Sequence, residues 1–478
     1  MSLLADLAGA VGPENLITAP AALRTYETDG LASHRAIPHA VVLPTSTAQV
    51  AAAVRACRSA GAPFVARGAG TGLSGGAVPV AEGIVIGLSR MTAILDVDVP
   101  NRRVRLQPGV TNLDVTKAVA PHGLYYAPDP SSQQVCTIGG NVAENSGGAH
   151  CLKYGFTTNH VLEAEVVLAD GEIVRLDPWG SLDLLGAVVG SEGTLGIVTE
   201  ALVRVLPKPE RVETLLADYA STDAAGEAVS AIIAAGVIPA AIEMMDELSI
   251  HAAEHALHVG LPLDAGAILL VELDGPAVEV EATLGQVVEI CERAGARTVR
   301  RAENEEQRAG FWRGRKAAFP AMGRLSRDYY VQDGVVPRTR LPETLRRIGE
   351  LSREHGLRVA NVFHAGDGNL HPLVLYDGQV EGEAEQAEEL ASQILIACLD
   401  AGGSLTGEHG VGLDKARHMP RMFSETDLET MHRLRCGFDP SGLCNPGKVF
   451  PTKKSCGEAG PVAYRPHPIE ERGLAQRF

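Results

Sequence analysis

Arg67-Gly68-Ala69-Gly70-Thr71-Gly72-Leu73-Ser74-Gly75-Gly76 is the stretch whose reading decides the fold. It follows Pro63 to Arg67, which predicts a strand, and Gly70 to Gly75 fits the pattern G-x-G-x-x-G. A Rossmann turn must open a helix, because the helix N-terminus holds the pyrophosphate. Here Gly76-Ala-Val-Pro79 follows, a poor helix start, so the nicotinamide reading fails the context that its own motif demands. What remains is a strand-ended loop with five glycines in nine residues, able to turn N–H groups inward as a nest for a diphosphate. Taken alone, it could equally be a glycine-rich surface loop.

It does not stand alone. Pro128-Asp129-Pro-Ser-Ser132 comes next, followed by Thr137-Ile-Gly139-Gly140-Asn141-Val-Ala-Glu-Asn-Ser146-Gly147-Gly148 and Gly190-Ser-Glu192-Gly193-Thr-Leu-Gly196-Ile197. The chain has 52 glycines in 478 residues, above the usual share of ~7 %. Four such loops in one region imply a large ligand with a long site lined by backbone. Length suggests two or three domains, and 45 % hydrophobic residues exclude disorder. With 42 Lys+Arg against 59 Asp+Glu, the net charge of −17 argues against a nucleic-acid partner.

Around the loops, strands are expected at Ala40 to Leu43, Gly83 to Leu88, Ala93 to Val97 and Arg103 to Leu106. Thr45 to Gly61 reads as a helix with Ser46-x-x-Gln49 as its capping box. His160 to Leu176 reads as a hairpin turning at Asp170-Gly171, and Gly196 to Leu206 as a strand before a Pro207-Lys-Pro209 linker. Beyond it, Arg211 to Tyr219 and Ala267 to Leu273, each followed by a helix, suggest a second α+β unit. The start has no basic n-region, and no apolar stretch is long enough to span a bilayer, so a cytoplasmic protein is expected. Eight scattered cysteines without a C-x-x-C pair predict reduced thiols rather than a zinc or iron–sulfur site.

His364-Ala-Gly-Asp-Gly-Asn369-Leu-His371 places two histidines about a tight turn between the expected strands Arg358–Phe363 and Pro372–Tyr376. Gly402 to Gly412 presents Glu408-His409 in a second glycine-rich loop. Two histidines and a carboxylate are a common divalent-metal donor set, although polar turn residues without a metal fit the same spacing.

The glycine motifs together, in their order and wording, resemble the FAD-binding domain of the vanillyl-alcohol-oxidase/PCMH flavoproteins. Within that family they are similar to the D-2-hydroxyacid dehydrogenases: D-lactate dehydrogenase, D-2-hydroxyglutarate dehydrogenase and, nearest in the wording from Lys448 to Cys456 and at Gln476-Arg-Phe478, the flavin subunit of bacterial glycolate oxidase. The resemblance covers about residues 15 to 455. It implies an α+β protein in three parts: a PCMH-type FAD domain (1–207), a cap with an antiparallel sheet (208–414), and a C-terminal segment (415–478) returning to the FAD domain.

It further implies that residues 68 to 72 and Ser74 to Gly76 hold the FAD pyrophosphate. Residues 137 to 148 would lie along the flavin and 190 to 197 against the adenosine half or the ring, with Pro128, Asp129 and Asn445 also in the site. Thr71 stands where some members carry a flavin-linking histidine, so the FAD is expected to be non-covalent. His364, His371 and Glu408 become ligands of one divalent metal (zinc, with manganese or iron suited to the same donors), and His409 the catalytic base. Arg315, three residues after Trp312, would bind the substrate carboxylate, with Asn369 as a further substrate contact. Val331 replaces the lysine of the D-2-hydroxyglutarate enzymes, which points to small monocarboxylates.

The implied reaction is oxidation of glycolate or D-lactate to the 2-oxo acid. A metal acidifies the hydroxyl, His409 takes its proton, and flavin N5 takes the hydride. Electrons would leave to a quinone, a cytochrome, an electron-transfer flavoprotein or an iron–sulfur subunit. A homodimer and peripheral membrane association through a partner are compatible with this scheme. Two other readings are weighed: a flavin subunit that only relays electrons, against which the Glu408-His409 pair speaks, and a zinc protease suggested by His251-Ala-Ala-Glu-His255 with His258 nearby. The latter is a short pattern in a chain with 15 histidines, and an amphipathic helix explains it.

Overall fold

The computed structural model describes residues 2–179 and 182–451. Ala40–Val42, Ile84–Gly87 and Phe64–Arg67 form a parallel sheet extended by antiparallel Leu16–Ile17. These short strands, apolar except for Arg67 at the end of one, suit a sheet covered by helices. Helix Thr47–Ala60 supplies one cover, burying Val50, Val54 and Cys57. Ser46 Oγ accepts the Gln49 N–H, while Gln49 Oε1 reaches back to the Thr45 N–H, one residue short of a reciprocal capping box. Gly61, at φ +63°, ends the helix. The strand Phe64–Arg67 delivers residues 68–80 at its carboxyl end without a following helix, as the sequence predicts.

A five-stranded antiparallel sheet follows, ordered Ile94–Asp98, Arg103–Leu106, Ile197–Arg204, Val161–Val167 and Ile173–Leu176. The expected hairpin turns at Gly171, whose N–H bonds Leu168 O at 2.9 Å. One expectation is corrected here. Residues 137–148 are not all loop, because Ile138–Glu144 is a helix whose Ile138 and Val142 join the core of this sheet. Gly139 is tolerated there because a β-carbon would meet Pro108 at 2.5 Å, so only glycine lets the helix approach.

The second half is built on a nine-stranded sheet in which Arg211–Tyr219 pairs along its length with Ala267–Gly275. Alternation along the latter strand divides two cores: Ala267, Leu269 and Val271 face one, and Ile268 and Leu270 the other. The first core is closed by helices Thr222–Ala234, Ala277–Arg293, Leu341–His355 and Glu383–Asp400. The second is closed by Glu247–Leu257 and Glu305–Ala321. Strand Ala241–Asp246, which the sequence reading missed, joins Ala267–Gly275 to Val359–His364.

After helix Glu425–Phe438 the chain returns beside Phe64, where Asn445 N–H donates to Phe64 O and Phe64 N–H to Leu443 O. Cys57, Cys136, Cys151, Cys291, Cys398 and Cys444 are free and buried. Cys456 and Gln476–Phe478 lie outside the described residues. Among those residues no helix is long and apolar enough to cross a membrane.

Candidate active site

A cavity of about 440 Å³ runs from the glycine loop to the histidine cluster. Arg67, Gly68, Ala69, Gly70, Thr71, Gly72 and Gly76 form one wall. Thr137, Gly139, Gly140, Asn141 and Ser146 form a second, and Glu192, Gly193, Gly196 and Ile197 a third. At Gly70, φ is +71° and a β-carbon would lie 2.1 Å from Arg67 Nη2, so the guanidinium curls beneath the loop only because glycine is there. Arg67 also donates to Ala77 O at 3.1 Å, which pins the two ends of the loop together. Thr137 Oγ1 is buried without a partner, a hydroxyl left over for a ligand. Bare backbone on three sides and an orphaned donor at the loop fit a diphosphate-bearing cofactor such as FAD.

Other expected residues hold the walls rather than form them. Ser74 O accepts the N–H groups of Leu413 and Asp414, and Gly75 packs on Leu413, so both dock the segment after His409. Asn445 Nδ2 donates to Gly76 O at 2.9 Å and to Glu192 O at 2.7 Å, tying two glycine motifs together. Pro128 lies off the cavity wall, as does Asp129, whose carboxylate faces the His150 ring at 2.9 Å; Pro130, Ser131 and Ser132 are on the wall instead. Gly148 packs on the Asp129 carbonyl and Gly147 on the Glu408 carboxylate, where neither has room for a side chain.

The histidine cluster closes the far end. His364 Nε2 stands 3.1 Å and His371 Nε2 3.4 Å from Glu408 Oε1, and the three donors lie within 4.8 Å of one another. The turn that assembles them uses Gly368 at φ +81° and pairs His364 across from Asn369, while His371 begins the chain's switch to a different strand partner. Glu243, on the strand that was missed, accepts from His364 Nδ1 at 2.8 Å and so fixes which nitrogen faces Glu408. Burial opposes protonation of His364, yet Glu243 and Glu408 raise its pKa well above the usual value. Burial likewise opposes ionisation of Glu408, but His364 and then His371 bring its pKa down to about 2. Two convergent imidazoles, a carboxylate and a carboxylate-held tautomer fit a divalent ion.

His409 stacks on His371 with ring centroids 4.7 Å apart, and its Nδ1 is buried without a partner. Burial pushes its pKa down to about 4, so the ring is neutral at neutral pH. Asp333, to which the sequence reading gave no role, organises this loop. It accepts from Thr406 Oγ1, from the N–H groups of Gly407, Glu408 and His409, and from Lys415 Nζ at 3.1 Å. Burial would raise the Asp333 pKa, but the Lys415 ammonium holds it well below the carboxylate range.

Arg315 is not on the cavity wall. It is 3 % exposed and pairs with Glu243 at 2.6 Å, whereas its neighbour Lys316 faces the cavity together with Phe319, Pro320 and Tyr329. Asn369 is buried against Gly407 and also lies off the wall. The His251/His255 pair is a stacked surface of one helix, and Glu254 accepts the N–H groups of Val259, Gly260 and Leu261, so it caps a loop rather than serving a metal.

A glycine-walled cavity opening onto a histidine–carboxylate cluster fits a flavin oxidoreductase, and the chain's similarity to known proteins shows that class. Residues 38–177 match the family model "FAD binding domain" and residues 208–449 match "FAD linked oxidases, C-terminal domain". The chain belongs to the FAD-linked oxidases. It is 51 % identical over 455 residues to the glycolate oxidase subunit GlcD of Escherichia coli K12, covering 94 % of this chain and 91 % of that one. It is 33 % identical over 453 residues to the D-lactate dehydrogenase of Anaerostipes hadrus, covering 92 % and 95 %. The crystal structure of p-cresol methylhydroxylase with substrate bound superposes with a TM-score of 0.80 at 16 % identity, covering 94 % of this chain and 96 % of that one. The fold is thus the α+β arrangement of the vanillyl-alcohol-oxidase/PCMH flavoproteins, and the protein is an FAD-linked oxidoreductase.

Proposed function

We propose that this protein oxidises a small D-2-hydroxy acid, glycolate or D-lactate, to the 2-oxo acid, with non-covalent FAD and a divalent metal held by His364, His371 and Glu408. The observation that carries this reading is the shared cavity: the glycine walls and the cluster of His371, Glu408 and His409 open into one space. When bound, FAD supplies the hydride acceptor and the metal a Lewis acid for the hydroxyl. His409, neutral and beside the donor set, takes the hydroxyl proton. Asp333 holds the His409 N–H and so fixes where that ring stands. The helix Glu305–Ala321 supplies the cation for the carboxylate: Lys316 lines the cavity, and Arg315 reaches it only by leaving Glu243. Phe319, Pro320 and Tyr329 line the same cavity and would keep water from it once the cofactor and substrate are bound.

Val331 is buried against Leu373 and brings no second cation, which supports a monocarboxylate. We divide the chain into an FAD part (1–207), a cap (208–414) and a returning segment from 415 onward. The names of both relatives support the substrate class, and "subunit" in the first supports transfer of electrons to a partner such as an iron–sulfur subunit, or to a quinone, cytochrome or electron-transfer flavoprotein. Anaerobic mixing of flavin-loaded protein with glycolate, D-lactate and L-lactate tests the reading. Glycolate and D-lactate should bleach the flavin, whereas an unbleached spectrum with every hydroxy acid would sink the proposal. Chelation should stop the bleaching with the flavin still bound, and added metal should restore it.

A further inference from the structure

Two carboxylates stand together behind the His409 loop, and the mechanism above uses neither. Glu144 ends helix Ile138–Glu144, Glu192 occupies a turn at φ +53°, and both lie on the wall of the main cavity. They close around the same two glycines. A β-carbon at Gly410 would stand 2.4 Å from Glu144 Oε2 and 2.9 Å from Glu192 Oε1. One at Gly76 would stand 2.9 Å from Glu144 Oε1 and 3.5 Å from Glu192 Oε2. The pair therefore sits where the cofactor loop meets the residue after His409.

The two groups are not equivalent. Glu192 accepts the N–H groups of Val411 and Gly412, each at 2.7 Å, an arrangement that stabilises a carboxylate. Glu144 Oε2 is buried and has no hydrogen-bond partner. A buried anionic oxygen without a donor is costly, and a second negative charge beside Glu192 adds to the cost. Burial first, and then Glu192, push the Glu144 carboxyl well above its ordinary range. Asp29 works in the same direction, while Lys415 and Lys448 oppose it. Both ammonium groups are already engaged: Lys415 with Asp333 and Gly410 O, Lys448 with Val78 O and Asn445 Oδ1.

We infer that Glu144 is a neutral carboxylic acid that donates a hydrogen bond to the flavin cofactor held in this cavity. The inference rests on the FAD reading but not on the substrate. A protonated carboxyl has an O–H to give, where a carboxylate can only accept. Its neutrality also matters for redox chemistry, since negative charge arriving with a hydride is opposed less by one carboxylate than by two.

The substitutions Glu144→Gln and Glu144→Leu separate donor from charge. FAD affinity and the flavin midpoint potential, the latter by dithionite titration, need no substrate, so they remain readable even if every hydroxy acid fails. E144Q should keep the wild-type midpoint, because a neutral donor replaces a neutral donor. E144L should bind FAD about tenfold more weakly, the loss of one hydrogen bond. Should E144L fail to fold, infrared difference spectra of wild type against E144Q decide, with a protonated-carboxyl C=O band expected in the wild type and absent from E144Q. A raised midpoint in E144Q, as removal of a negative charge would give, overturns the inference. So does wild-type FAD affinity in E144L, or the absence of that band from the wild type.

Discussion

Gly410 shows how much a single position can carry. Its φ of +85° is one that L side chains rarely adopt, and its missing β-carbon leaves room for the Glu144 and Glu192 oxygens on either side. Gly410→Ala should destabilise the protein by about 1–3 kcal/mol in chemical denaturation, combining backbone strain with overpacking. His409→Asn should leave FAD bound and abolish bleaching by hydroxy acids; rapid reduction of that variant would remove His409 from the mechanism. Arg315 and Lys316, adjacent in sequence, should separate cleanly. Arg315→Met leaves Glu243 with only the His364 ring against it and should cost about 3–5 kcal/mol of stability, the range for one partner lost from a buried pair. Lys316→Met, at a partly exposed side chain on the cavity wall, should raise KM for the hydroxy acid with unfolding unchanged.

The loop from Thr406 to His409 is held as an element by one side chain. Asp333 collects the N–H groups that an irregular loop would otherwise leave unpaired, and Lys415 supplies the balancing charge. Asp333→Asn keeps the shape but loses the charge and gives up acceptor capacity, so Glu408 should no longer be held in register with His364 and His371. Metal retention in equilibrium dialysis should fall by about 10- to 100-fold while FAD content stays the same, and equal loss of both would show a general collapse instead. The same element marks a limit of sequence reading. Asp333-Gly-Val-Val-Pro-Arg338 is conspicuous as a string, yet its work is done on residues more than 70 positions away. Glu243 escaped for the same reason, sitting in a short buried strand whose partners are set by the sheet.

Across the whole molecule, the FAD side and the cap are joined through His150. Its ring lies 2.9 Å from Asp129 and 3.2 Å from Glu272, and Glu272 also accepts from Trp312 and Thr214, while Lys153 and Tyr154 bond Asp274 nearby. Burial would disfavour the imidazolium, but Asp129 and Glu272 raise its pKa to about 10. A group whose pKa rises on folding stabilises most below its unfolded value, here about 6.5, and that stabilisation is lost as pH climbs through the folded value. Urea denaturation should therefore show stability falling between about pH 6.5 and pH 10, and His150→Gln should flatten that fall. Equal slopes for both proteins would assign the pH dependence elsewhere.

The glycine motifs, the alternating strands and the two histidine-bearing loops were legible because their signals are local: φ angles, period and spacing belong to the chain itself. These marked the glycine loops and the two histidine-bearing loops, and the resemblance their wording carries supplied the class of fold and the expected roles of His364, His371, Glu408 and His409. Only the tertiary structure decided that Arg315 spends its charge on Glu243, that Asp129 holds His150, that residues 138–144 coil into a helix against Pro108, and that Glu144 meets Glu192. Each of those depends on which distant groups share a buried space. Burial is what makes a charge choose its partner, and no stretch of sequence carries it alone.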